Sequence, residues 1–541
     1  MRKLLFVVHP LLFAMFFILA LYSANVAEVS PSEIVIPLVA ALGFALLLLL
    51  PALLLIRLIL RLRTPPKSSH QYQIWDLKKA AIVVSIFLVL FFSFGHVSNA
   101  IVGLGITYKV LLPIWGTLIV CGAYFVIKTR RDLRKLTIVL NIVAVTLVMI
   151  PAISIALNEA KAASQDITTT ENVDTNIVDP GKTDTVPDIY YIILDRYACA
   201  RTLEEVYDFD NSEFLDYLSD KGFYVASESS SNYPETHQSL ASSLNMKYIN
   251  YLSEELGEDF IDLSPTYTML QDYTVWRSLK SVGYEFIHLG SWWEPTRKNE
   301  YADININYWE IPEFSMTLFK TTMLYPIALE SSRLPSWLQS PFLEELRLGQ
   351  WERVPYIFDQ LAEIPNMKEP TFVFAHMLIP HPPYVFNRDG TYLTEEEANI
   401  RSLEVNYVDQ LIFANSKVME LIDELLSSSE VPPIIILQAD EGPYPGGQDK
   451  WEGKGEWEEP VGWEEATEAE LREKMGILNA YYLPNVDGDV LYPSITPVNS
   501  FRLVFNLYFD TDFELLPDRS YASYKDHPYK FFDVTDIVKH E

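Results

Sequence analysis

The stretch Ile189-Tyr190-Tyr191-Ile192-Ile193-Leu194-Asp195 decides how the chain is read. Six consecutive apolar residues suit a strand buried on both faces, the pattern of a parallel sheet covered by helices. Comparable strands are expected at residues 223–226, 284–289, 371–378, 434–439 and 478–483. Helical patterns lie between them. Asp210 and Glu213 have capping-box spacing before Phe214, Leu215 and Leu218, with Gly222 as the stop. Residues 266–282 place Met269, Leu270, Tyr273, Trp276 and Leu279 on one helical face ended by Gly283, and a long helix is expected to begin near Thr394 and Glu397. Strands alternating with helices predict an α/β domain, a mostly parallel sheet sandwiched by helices.

Towards the N-terminus the composition changes. Five apolar runs occupy about residues 4–22, 34–60, 80–94, 111–127 and 136–157. Crossing a ~30 Å hydrocarbon layer takes roughly 20 residues, so these predict five transmembrane helices over residues 1–157. Arg2 and Lys3 precede the first run; Arg61, Arg63, Lys67, Lys78 and Lys79 separate the second and third; Lys128, Arg130, Arg131, Arg134 and Lys135 separate the fourth and fifth. The alternate loops, residues 23–33 and 95–110, carry only Lys109. That asymmetry predicts an integral protein of the plasma membrane with a cytoplasmic N-terminus. If the first run is a cleaved signal peptide, four spans remain and the C-terminal domain is still extracytoplasmic. Residues 158–187, rich in Thr, Asn, Asp and Pro, read as a flexible linker to a domain over residues 188–541.

Charge follows the same division. The 541 residues carry a formal net charge of −31, yet residues 1–160 hold 14 basic and 5 acidic side chains against 27 and 67 in the remainder. A polyanionic domain is repelled by a phosphate backbone, which excludes nucleic acid as partner. Its wealth of Tyr, Phe, Trp and Ile excludes disorder. Two cysteines, Cys121 and Cys199, cannot build a disulfide framework or a zinc finger.

In an open α/β sheet, ligands bind beyond the carboxyl ends of the strands. Asp195 ends one expected strand; His376 lies within another and His381 follows it; Asp440, Glu441 and Gly442 follow a third. A carboxylate at one strand end is commonly a cap or a solvated group, but three such ends converging predict a metal site. A nucleophile is offered by Asn232-Tyr233-Pro234-Glu235-Thr236-His237-Gln238-Ser239-Leu240, where a helix containing Leu240 and Leu244 begins at Thr236. A hydroxyl there faces unpaired backbone N–H groups that favour an anionic substrate, and a metal ion would make its alkoxide accessible. The same position also suits an ordinary N-cap. His288 and Arg297 are candidate substrate contacts, against the alternatives of a satisfied core histidine and a surface ion pair. Tyr407 reads as a core or helix-face residue. Residues 446–476, acidic and carrying Trp451, Trp457 and Trp463, read as a solvated loop, with a substrate lid and a calcium-binding acidic patch as the alternatives.

Taken together, residues 190–195, the Pro234-Glu235-Thr236 turn, residues 375–384 and residues 437–442 resemble the alkaline-phosphatase-like superfamily. Within it the chain is most similar to the membrane-anchored sulfatase-like and lipoteichoic-acid-synthase-like branch, over roughly residues 187–538 plus the membrane anchor. The resemblance implies Asp195, Asp440, Thr236 and the residue at 441 as metal ligands, Thr236 also as nucleophile, and His381 with His376 near the phosphoryl group or the leaving oxygen. It implies a metal-dependent phosphoester hydrolase or transferase acting on a membrane lipid or a lipid-linked envelope polymer. Two departures matter. Glu441 stands where the family has His, which shifts preference towards Mn²⁺, Mg²⁺ or Ca²⁺ over Zn²⁺ and leaves a degenerate receptor or scaffold as the alternative. Residues 199–203 do not fit the motif from which sulfatases mature their formylglycine, which disfavours a true sulfatase.

Overall fold

The computed structural model describes residues 7–26, 29, 31–63, 70–102, 107–164, 186–308, 312–331, 341–367, 369–444, 462–486, 490–524 and 526–539. The chain divides into two compact units: Met1–Asp166 with Ile311–Glu344, and Ile167–Glu310 with Glu345–Glu541. Most of the expected linker, residues 165–185, lies outside the described residues, as do residues 445–461 of the acidic tryptophan segment.

The first unit contains α1 (His9–Ala24), α2 (Val35–Arg63), α3 (His70–Val102), α4 (Tyr108–Lys128) and α5 (Arg134–Ser164). Within α2 to α5, Val35–Ile59, Asp76–Ile101, Tyr108–Lys128 and Arg134–Asn158 are long and apolar enough to cross a membrane; α1, at 16 residues, is apolar but shorter. The first residues of the first expected span lie outside the described residues. Large apolar side chains point outward along these helices, Leu47 at 73% exposure and Val120 at 67%, which is stable only in a hydrocarbon surrounding. Lys79 is buried, and its ammonium donates to the carbonyls of Ile127 at 2.6 Å and Thr129 at 2.8 Å, so an α4 end satisfies the charge. Residues 311–344, inside the stretch expected as one continuous domain, group with this first unit.

The second unit is built on a seven-stranded sheet. Its strands are β1 (Ile189–Leu194), β2 (Tyr224–Val225), β3 (Glu285–Leu289), β4 (Ile304–Ile306), β5 (Thr371–Met377), β6 (Ile434–Gln438) and β7 (Asn479–Tyr482), in the spatial order β2-β7-β6-β1-β5-β3-β4. All neighbours are parallel except that β7 runs antiparallel to both β6 and β2. A separate ribbon pairs β8 (Tyr521–Tyr524) with β9 (His527–Asp533). Strand β1 is buried throughout because its two faces enter different cores. Tyr190, Ile192 and Leu194 join one with helix Leu403–Ser428, while Ile189, Tyr191 and Ile193 join the other with helices Thr236–Leu244 and Pro497–Tyr508. The mostly parallel sheet sandwiched by helices is therefore as the sequence predicts.

Three local expectations are corrected. Residues 266–282 form two helices, Ser264–Gln271 and Thr274–Ser281, because Asp272 and Tyr273 turn extended and the Tyr273 ring enters the core. The long helix expected from Thr394 is likewise two, Glu395–Ile400 with the Thr394–Glu397 capping box and Leu403–Ser428 capped by Ser402. Asp210 accepts from the Ser212 N–H, two residues on, so it makes a turn ahead of helix Ser212–Asp220 and no capping box.

Candidate active site

The carboxyl ends of β1, β5 and β6 bring the site together. Parallel pairing sets Ile193 of β1 beside His376 of β5 and Gln438 of β6, so the residues just beyond these strands converge. Asp195, His376 and Asp440 are all buried, and each offers a ligand atom within 4.8 Å of the others. The His376 Nε2 lies 3.3 Å from Asp195 Oδ2. On the other side of the ring, Nδ1 is 2.7 Å from the Thr296 hydroxyl, which in turn meets Ser291 at 2.8 Å. That second partner fixes the imidazole and leaves Nε2 aimed into the cluster.

Several carboxylate oxygens here have no well-formed hydrogen bond to protein: Asp195 Oδ1, both of Asp440 and Glu441 Oε2. Buried polar atoms are ordinarily paired, so this concentration of unpaired acceptors marks a place built for a cation. Two carboxylates and one imidazole are a fitting donor set for a divalent ion. The electrostatics agree. Burial raises the Asp440 carboxyl to about 8, with Asp195 repelling its charge and the Thr236 hydroxyl and Lys474 acting the other way. Burial also acts upward on Asp195, but His381, His376 and Arg196 outweigh it and hold that carboxyl below the usual range. One carboxyl raised beside one lowered is the pattern of two acids sharing a buried site.

Thr236 is the first residue of helix Thr236–Leu244, following an extended Glu235. The N-cap position thus falls to Glu235, whose side chain does not cap the helix. Its carboxylate instead accepts from the Tyr444 hydroxyl at 3.1 Å and the Trp463 indole N–H at 2.8 Å. The Ser239 hydroxyl donates to the Asp440 carbonyl at 2.6 Å, tying the first turn of the helix to the end of β6.

Glu441, expected as a ligand, is not one of the three mutually close donors. Its Oε1 receives the Lys474 ammonium at 2.7 Å and the Arg196 Nε at 3.3 Å. Gly442 makes this possible. Its N–H donates to the Lys474 carbonyl at 2.7 Å, and a Cβ at that position would fall 2.4 Å from the Glu473 carbonyl oxygen. The Tyr444 ring lies under both cations, 3.6 Å from Lys474 Nζ and 4.2 Å from the Arg196 guanidinium, and Trp463 stacks on Tyr444 at 5.7 Å. Burial lifts the Glu441 carboxyl to about 7 despite these partners.

The remaining expected residues are not among the three mutually close donors. His381 is buried with Nδ1 against the Pro382 carbonyl and its ring 5.9 Å from Trp292, and burial with the nearby Arg196 lowers it to about 3. Gln410 donates to the His381 carbonyl at 2.9 Å and fixes that loop. His288 is buried, with Nε2 2.8 Å from the Thr296 carbonyl and its ring 5.4 Å from Phe374. Arg297 pairs with Glu294 at 3.5 Å.

Sequence reasoning missed Arg196, Lys474, Tyr444 and Glu235. It also gave Tyr407 no role, although the Tyr407 hydroxyl donates to the Arg196 carbonyl at 2.8 Å and accepts from the Ala198 N–H at 3.1 Å. Arg196 adopts a left-handed φ of 63°, which this bracket holds immediately after Asp195. A basic residue directly following the strand-end acid was the one signal available.

No protein-family model and no curated protein matches the chain. Among solved structures it is similar to the C-terminal periplasmic domain of EcEptC from Escherichia coli in complex with Zn, at 12% identity and a TM-score of 0.43 over 66% of this chain and 94% of that one. It is also similar to the integral membrane protein lipooligosaccharide phosphoethanolamine transferase A from Neisseria meningitidis, at 12% identity and 0.37 over 84% and 92%. A protein in the alkaline phosphatase superfamily from Vibrio parahaemolyticus aligns at 11% identity and 0.37 over 62% and 73%.

Proposed function

We propose that the chain is a membrane-anchored, metal-dependent phosphoester transferase or hydrolase that uses Thr236 as its nucleophile and acts on envelope lipids or lipid-linked glycans outside the cytoplasm. The observation that carries this reading is the pairing of a buried Asp195–His376–Asp440 cluster with a threonine hydroxyl at a helix N-terminus beside Asp440.

A divalent ion held by Asp195, Asp440 and His376 would lower the pKa of the neighbouring hydroxyl and draw charge from a phosphoryl oxygen. The protein's own groups do the rest. The start of helix Thr236–Leu244 turns backbone N–H groups towards an anionic substrate. Thr236 Oγ1 attacks phosphorus as the bond from phosphorus to the ester oxygen breaks, and the proton Thr236 gives up passes through solvent to the departing ester oxygen. The phospho-threonine is then resolved by water, giving a hydrolase, or by a lipid or glycan hydroxyl, giving a transferase. His381, neutral near pH 7, serves by hydrogen bonding and shape, and His376 belongs with the metal-binding group.

Two carboxylates with one imidazole favour Mn²⁺, Mg²⁺ or Ca²⁺ over Zn²⁺. The apolar helices of the first unit favour a substrate that resides in the membrane, since a soluble metabolite would not require them. The test is headgroup release or transfer from phospholipid vesicles by the full-length protein supplied with Mn²⁺. Thr236→Ala should abolish turnover with metal still bound, and unchanged turnover would remove Thr236 from this role.

A further inference from the structure

Residues 312–331, which interrupt the α/β unit in sequence, carry only Glu313, Lys320 and Glu330 as charged residues. They form helices Glu313–Thr321 and Leu324–Ser331, joined by Thr322 and Met323. Phe314 and Met323 are buried in one cluster with Ala14 and Ile18 of α1 and Leu88 and Phe91 of α3, and the Phe314 ring meets Tyr22 edge-on at 6.4 Å. The Met323 N–H donates to the Phe91 carbonyl at 3.0 Å. Phe91 precedes the Ile101 end of its span by ten residues, which at the rise of an α-helix is about 15 Å, half of a ~30 Å hydrocarbon layer.

The break between the two helices is hydrogen-bonded as backbone inside a bilayer must be. The Thr322 N–H donates to the Phe319 carbonyl at 3.0 Å, the Leu324 N–H to the Thr322 hydroxyl at 3.2 Å, and the Thr321 hydroxyl to the Leu318 carbonyl at 2.7 Å. Non-helical backbone at membrane depth is tolerated only where protein satisfies it in this way. Close approach is permitted by Gly95, where a Cβ would stand 2.5 Å from the Lys320 carbonyl oxygen and 2.6 Å from Thr321 Cα. Meanwhile Leu324 and Ile327 remain 48% and 49% exposed, in a unit whose helices α2, α4 and α5 also expose large apolar side chains.

We infer that residues 312–331 form a re-entrant hairpin that dips into the bilayer leaflet on the side where α1 and α3 end, with Leu324 and Ile327 facing lipid acyl chains. Lys320, exposed near the tip, has a stem long enough to carry its ammonium towards the interface. Hairpin insertion is independent of the catalytic reading.

The test is spin-label accessibility in the full-length protein, reconstituted in phosphatidylcholine–phosphatidylglycerol vesicles. Labels are attached at Leu324→Cys and, separately, Ile327→Cys in a Cys121→Ser background, Cys199 being buried. Leu47→Cys serves as the lipid-exposed reference and Ile400→Cys, at a site 79% exposed in the α/β unit, as the aqueous one. Collision with oxygen should exceed collision with a water-soluble nickel chelate several-fold at 324 and 327, as at 47. A nickel preference at both sites matching that at 400 would overturn the hairpin's insertion. Two independently labelled sites guard against a single misfolded variant.

Discussion

The Lys474 ammonium sits 2.7 Å from the Glu441 carboxylate, and neither side chain is more than 2% exposed. Glu441 therefore follows the acid Asp440 in sequence but turns its Oε1 to two cations, Lys474 and Arg196, under the Tyr444 ring. Removing one partner of a buried pair leaves an uncompensated charge, at a cost of about 3–5 kcal/mol. Lys474→Met should accordingly destabilise the protein by that order, and adding Glu441→Gln should restore much of the loss. Thermal or denaturant unfolding of both single variants and the double variant measures the coupling. Additive losses would mean that the two groups do not depend on each other.

Metal binding should divide the acidic residues. Asp195→Asn, Asp440→Asn and His376→Ala should each weaken Mn²⁺ binding at least tenfold, since each removes one of the three close donors. Glu441→Gln should leave one ion bound per chain. Equilibrium dialysis with elemental analysis reads stoichiometry and affinity without any substrate.

The metal-free protein should lose stability as pH rises from about 6.5 to 8, above the range in which His237, His288 and His381, lowered by burial, act the opposite way. The Asp440 carboxyl holds its proton up to about 8 and Glu441 up to about 7 in the fold, whereas their unfolded values are 3.8 and 4.5. Across that window the folded state binds more protons than the unfolded one, so stability falls with pH. Asp195, shifted downward, changes only below the window. Saturating Mn²⁺ replaces the proton and should flatten or reverse the slope. Melting temperatures across that window, with chelator and with metal, check both signs, and a rising curve in chelator would contradict the burial of an uncompensated acid at Asp440.

Glu235 positions the turn that carries Thr236 through Tyr444 and Trp463. Glu235→Ala should lower turnover roughly 10- to 100-fold, the scale of a small misplacement of a reacting group. Metal affinity should not move, because the three donors lie on other elements. A variant that lost metal and activity together would show that Glu235 acts through the metal-binding cluster.

Much of the fold was legible because β1, β5 and β6 are continuous apolar runs that only a doubly covered sheet can bury. Asp195 and Asp440 were legible for the same reason, as acids where such runs stop. Residue 441 shows the limit. Its chemistry pointed to a ligand, but the direction of its side chain is set by Lys474, 33 residues on, and by a close backbone approach at Gly442 that no local spacing reveals. Helix 266–282 was overextended because its apolar periodicity continues through Tyr273, while the backbone breaks there to bury that ring. Residues 312–331 carried no apolar run long enough to cross a membrane, and their packing on α1 and α3 separates them from the domain around them.

The central claim is that Thr236 becomes covalently bonded to phosphorus. Full-length protein incubated with Mn²⁺ and phospholipid vesicles, quenched in acid and analysed by mass spectrometry of the peptide containing residue 236, tests it most directly. A phosphoryl or phosphoryl-headgroup adduct on Thr236 that is absent from Asp440→Asn is the predicted result. Turnover with Thr236 unmodified at every quench time, or an adduct on another residue, would contradict it.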